Sequence, residues 1–127
     1  MRQEWTKLEA KVQSELQPIL MSGGYSFQRA GPTENDDDFV IWYEKDSTHR
    51  ILIDGLKWTV FEAGVRKDFN WLRVDIAGRY LKELMGIASE TNMHLHDGWT
   101  WVDEEELDHC IEEIATGLKA YFEAHPD

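Results

Sequence analysis

The chain has 127 residues, of which 42% are hydrophobic and 30% charged, with six tryptophans; this composition builds a globular domain with a sizeable core and excludes a disordered chain. An excess of 25 acidic over 13 basic residues gives a formal net charge of −12, which opposes binding to nucleic-acid phosphates or to an anionic membrane and favours a basic partner. Cys110 is the single cysteine, so no internal disulfide is expected, and the Met1-Arg2-Gln3-Glu4 start lacks a signal-peptide run. No apolar window approaches the roughly 20 residues that span a bilayer. The expectation is one cytoplasmic domain over residues 1–127.

Apolar residues at Trp5, Leu8, Val12, Leu16, Ile19 and Leu20 follow helical spacing and predict a first helix over residues 4–21. Pro18 falls inside that pattern and predicts a bend or restart, and Gly23-Gly24 ends the helix. Tyr25 to Arg29 alternates as an edge strand, and Gly31 to Asp38 reads as a loop in which Asp36, Asp37 and Asp38 repel one another. Residues 39–61 then predict a three-stranded meander. Asp54-Gly55 between two apolar runs is the signal for a two-residue type I′ hairpin, which places Ile51, Ile53, Leu56, Trp58 and Val60 on one face. A turn centred on Asp46 and Ser47 adds Val40 and Trp42 to that face; a slip of one residue puts Phe39, Ile41 and Tyr43 there instead.

Residues 69–74 suit either a further strand or the approach to a helix. Asp75 is the predicted N-cap of a helix reaching about Glu90, with Ile76, Tyr80, Leu84 and Ile87 on its inner stripe. A second Asp-Gly, Asp97-Gly98, suits a small hairpin or a loop. The last helix carries the plainest signal. Asp103 with Glu106 three residues on forms a capping box, and Leu107, Ile111, Ile114, Leu118 and Phe122 make a continuous apolar stripe up to His125-Pro126.

His94 and His96 alternate, so on a strand both imidazoles project from one face toward a shared metal, with Asp97 beside them and His109 later in the chain; a metal centre needs further ligands at a diagnostic spacing, and none is evident. Cys110 lies on the inner flank of the last helix without an activating base. Ser22 has no nucleophile-elbow context, and no glycine-rich phosphate loop occurs. Neither a catalytic residue nor a cofactor is therefore predicted. A partner surface is: Asp36, Asp37, Asp38, Glu104, Glu105, Asp108 and Glu112 supply acidic charge for steering a basic protein, and Trp99 and Trp101 share one side of an extended segment as aromatic anchors.

The run Leu16-Gln17-Pro18-Ile19-Leu20 before a Gly24-Tyr25-Ser26-Phe27 strand, the meander, and Trp99-Thr100-Trp101 ahead of a capped helix resemble small bacterial domains of unknown function built as helix, antiparallel sheet, helix. Some of these are associated with toxin-immunity loci. The likeness covers mainly the first and last 30 residues. It implies a non-enzymatic, immunity-like protein that neutralises a basic partner. The predicted fold is α+β, an antiparallel sheet of four or five strands with the terminal helices packed on one face. A metal-dependent enzyme centred on His94 and His96, and a small-ligand-binding domain, are the competing readings.

Overall fold

The computed structural model describes residues 1–86 and 97–126. Helices at both ends cover one face of a six-stranded antiparallel sheet, so the α+β architecture is as expected. The N-terminal helix runs as α1 (Gln3–Lys11), a π-helical turn (Val12–Leu16) and α2 (Gln17–Ser22). Pro18 explains the wide turn: it cannot donate to the carbonyl four residues back, and the π turn absorbs that gap without ending the helix. Trp5, Leu8, Val12, Leu16 and Leu20 are all fully buried, so the helix keeps its apolar stripe through the irregularity.

Strands β1 (Ser26–Pro32), β2 (Asp38–Asp46), β3 (His49–Glu62) and β4 (Val65–Ile76) lie side by side in chain order. Beyond β4, its edge is shared by the short β5 (Arg79–Tyr80) and by β6 (Gly98–Trp101). Asp54-Gly55 is not a turn. Both residues lie within β3, with Asp54 opposite Arg73 and Gly55 opposite Leu72. Glycine is needed there for close approach: a Cβ on Gly55 would come within 2.6 Å of Trp5 Cζ3 and 3.0 Å of Leu8 Cδ2. The β3–β4 turn is Ala63-Gly64 instead, with φ of 50° and 79°, and Glu62 pairs with Val65 across it; positive φ at both turn residues is the type I′ pattern.

A continuous β3 reverses the face assignment beyond Gly55, because side chains alternate without interruption. Ile51 and Ile53 face the helices while Leu56, Trp58 and Val60 face away. The β2–β3 turn is also one residue later than expected, at Ser47-Thr48, with a bulge between Glu44 and Asp46. Ile41 therefore opposes Ile53 and Tyr43 opposes Ile51, so Phe39, Ile41 and Tyr43 enter the core and Val40 and Trp42 turn outward. Asp46 fixes this turn. Its Oδ1 accepts from the backbone N–H of Thr48 (2.8 Å) and of His49 (3.0 Å).

Residues 69–74 belong to β4. The helix predicted from Asp75 does not start there: β4 continues to Ile76, Ala77-Gly78 makes a second turn with φ of 52° and 89°, and β5 leads into the single helical turn α3 (Leu81–Leu84). Asp75 still caps something, its Oδ1 accepting from Gly78 N–H at 2.7 Å. Residues 87–90 of that predicted helix, and both His94 and His96, lie outside the described residues. Gly98 opens β6 because a Cβ would sit 2.5 Å from the Leu72 carbonyl oxygen. The closing helix α4 (Glu104–Ala124) has the expected capping box, Asp103 Oδ1 accepting from Glu106 N–H at 2.9 Å and the Glu106 carboxylate accepting from Asp103 N–H. Leu107, Cys110, Ile111, Ile114 and Leu118 are its buried stripe, packed with the helix-facing side of the sheet into one core. Among the described residues, no helix is long and apolar enough to cross a membrane.

Candidate functional site

The acidic residues singled out from the sequence occupy two places along α1. Near its start, Trp5 Nε1 donates to the Asp36 carbonyl (2.6 Å), Arg2 Nε donates to the same oxygen (3.0 Å), and Arg2 pairs with Asp37 at 2.6 Å. Two helical turns or more farther on, Lys11 holds Asp108 at 2.7 Å and Glu104 at 3.7 Å; the Asp108 hydrogen bond raises the Lys11 pKa. Helix rise puts Arg2 and Lys11 roughly 13 Å apart. The β1–β2 loop and the start of α4 thus border the same helix, each with one basic residue set against several carboxylates. Asp38 opens β2 and is half-buried.

Glu105 and Glu112 line an open recess of about 610 Å³ between α4 and β6, with Glu106, His109 and Lys82. The capping box requires Asp103 and Glu106, and the helix dipole favours the further carboxylates of the first turn, so the local requirements of a helix start gather this charge. Lys82 stands at the wall with its Nζ donating to the Gly98 carbonyl at 2.7 Å and lying 5.5 Å from the Trp99 ring. Burial lowers its pKa, partly opposed by Glu113. Cys110 closes the floor; burial and the charge of Glu113 push its thiol to about 12, which makes it an inert packing group, in keeping with its place on the inner stripe.

Trp99 and Trp101 take a different role from the one expected. They are 5% and 2% exposed, opposite Leu72 and Asn70 in the sheet, and Trp99 Nε1 donates to Glu113 at 2.8 Å. They anchor β6 and α4 in the core, and Trp99 also forms part of the wall of the recess. Among the described residues, no group of three or more His, Cys, Asp and Glu side chains is arranged to hold a metal ion.

Aromatic side chains lie on the outer face of the sheet, opposite the helices. Val40, Trp42, Leu52, Leu56, Trp58 and Phe69 are half-buried there. Arg29 and Arg50 lie 6.0 and 5.4 Å from the Trp42 ring, and Trp58 meets Trp71 edge-on at 5.2 Å. Arg73 lies between Asp54 and Asp97, 3.8 Å from each, and over the Trp71 and Tyr80 rings. Desolvation by burial raises the Asp54 pKa, with Arg73 pulling the other way. The signal that finds this face is strand parity, once β3 is read as continuous through Gly55 and the β2–β3 turn is set at Ser47-Thr48.

Compared with known proteins, the chain matches no family model, no curated protein and no solved structure.

Proposed function

We propose that this chain is a non-enzymatic protein-binding module whose acidic helical side captures and neutralises a basic partner, in the manner of an immunity protein. The observation that carries this reading is the first half of α4. Exposed Glu104, Glu105, Glu106, Asp108 and Glu112 crowd about two and a half turns, where Lys11 pairs with Glu104 and Asp108, Lys82 stands in the recess wall, and Lys7 and Lys57 line a second recess with Glu104. An excess of negative over positive charge next to an open recess accelerates encounter with a cationic surface and gives it a concavity to enter. The residues Asp36 and Asp37 extend the same sign of charge along α1.

The test is capture of partners from a lysate of the protein's own source at about 50 mM and 150 mM salt, beside a variant carrying Glu104→Gln, Glu105→Gln, Asp108→Asn and Glu112→Gln. A basic protein retained by the native chain, weakened as salt shortens the Debye length from about 14 Å to about 8 Å, and lost by the neutralised variant supports the reading. Equal retention by both chains refutes it.

A further inference from the structure

We propose that the second recess, where α1 and α4 begin, binds a small zwitterion of the α-amino-acid class. This does not rest on the capture of a basic partner, although Glu104 borders both sites. Strand pairing sets Lys57 opposite Asn70 and Asn70 opposite Trp101, so the three stand abreast on the helix-facing side of the sheet. Gly55, one position earlier on that side of β3, is covered by Trp5. Beyond it the helical cover ends, because α1 starts at Gln3 and α4 at Glu104. The three side chains therefore border a recess of about 330 Å³, with Glu4 and Lys7 of α1, Asp68 of β4, and Val102, Asp103 and Glu104 around it.

One polar group at the floor has nothing to bind within the protein. Asn70 is 3% exposed, and its Oδ1 accepts from Lys57 Nζ at 2.9 Å. An ammonium can only donate, so the amide oxygen faces Lys57 and the N–H2 points elsewhere. That Nδ2 donates to no group among the described residues and is not sealed from solvent, so it opens onto the recess that Asn70 lines. A carboxylate seated there supplies the missing acceptor. Lys57, which also reaches Glu4 at 3.2 Å, uses two of its three ammonium protons in these bonds and keeps a third for the same carboxylate. Charge then selects the class of ligand. Glu4, Asp68, Asp103 and Glu104 face Lys7 and Lys57, so a plain anion meets net repulsion, and a plain cation leaves the Asn70 N–H2 unmet. The signs are also layered by depth: the side chains of Asp68 and Glu104 are 47% and 57% exposed, that of Lys57 24%. A zwitterion fits both layers, its carboxylate against Asn70 and Lys57 and its ammonium against the outer carboxylates. Trp101 and Val102 offer apolar contact to its side chain.

Proton–nitrogen correlation NMR of the purified chain follows the Asn70 side-chain N–H2 while each of the standard α-amino acids is added to about 20 mM. Acetate and methylammonium, each carrying one end of the ligand, are the controls. The expected result is a saturable shift of the Asn70 N–H2 with at least one amino acid, at least tenfold tighter than with either control. Asn70→Asp, which puts a carboxylate where the ligand's own would sit, weakens that binding at least tenfold by calorimetry. Lys7→Gln, at an exposed helix position, weakens it at least threefold, so the test survives if Asn70→Asp fails to fold by circular dichroism. Three results overturn the proposal: no saturable shift with any amino acid, a control that binds as tightly as the best of them, or binding unchanged in the variants that fold. None of them bears on the capture of a basic partner, which stands on its own test.

Discussion

Replacing Gly55 by alanine is the sharpest probe of how the helical layer meets the sheet. The new methyl carbon would sit 2.6 Å from Trp5 Cζ3 and 3.0 Å from Trp5 Cε3 and Leu8 Cδ2. Trp5 has little room to yield: it is fully buried, its ring stacks on Phe39 at 6.1 Å between centroids, and its Nε1 is tied to the Asp36 carbonyl. Overpacking of a well-filled core costs about 1–3 kcal/mol. Gly55 lies in extended strand backbone, so alanine adds no left-handed strain and gains about 0.4–1 kcal/mol by restricting the unfolded chain. The expected net loss is about 1–2 kcal/mol, read as a lower urea midpoint at unchanged slope. Trp5→Phe in the same background removes the atoms that clash and should recover part of that loss, giving a favourable coupling in a double-mutant cycle. If Gly55→Ala is neutral or stabilising, or if the Trp5 change brings no coupling, then helix and sheet do not meet at Gly55 as described.

Ala63→Asn and Ala77→Asn each place a residue tolerant of positive φ where alanine adopts 50° and 52°; each should raise stability by about 0.5–1 kcal/mol in urea melts, and a loss at either site would contradict the turn geometry. Asp103→Ala removes the acceptor of the α4 capping box and should cost about 1–2 kcal/mol, with amide hydrogen exchange quickening first at Glu105 and Glu106. Hydrogen bonds from His49 and then Thr48 hold the Asp46 carboxyl well below the ordinary carboxylate range. A depressed folded pKa means stabilisation that is present above the unfolded value near 4 and fades as pH falls below it. The stability gap between wild type and Asp46→Ala should therefore be full at pH 6 and narrow by pH 3; a gap that stays constant would show that the carboxylate charge is not what the turn uses.

The two surfaces differed in how legible they were. The acidic start of α4 was readable because capping and dipole effects act within one turn, so Asp103, Glu104, Glu105 and Glu106 announce themselves by spacing alone. Glu112 and Asp108 follow from helical periodicity. Trp99 and Trp101 were ambiguous, since an alternating aromatic pair is the same sequence pattern whether it faces a partner or a core, and only the covering α4 shows that both are largely buried. The outer aromatic face was missed for two reasons: Asp54-Gly55 satisfies the local chemistry of a hairpin, and a turn placed there sends Leu56 and Trp58 to the wrong side, while a β2–β3 turn placed one residue early does the same to Val40 and Trp42.

By itself the sequence determined what depends on neighbours along the chain: the apolar stripe of the first helix, the disturbance at Pro18, the α4 cap and stripe, the α+β class, and the acidic excess. The tertiary structure decided what depends on contacts across the chain. Gly55 is a glycine because a tryptophan 50 residues earlier in the chain presses on it, and Ala63-Gly64 turns although the stronger turn signal lies elsewhere, because pairing of β3 with β4 along their whole length outweighs one local preference. A turn at Asp54-Gly55 would forfeit the register that brings Ile51, Ile53, Val74 and Ile76 together under the helices, and burial of those four side chains, at about 1.5–3 kcal/mol each, exceeds any single turn propensity.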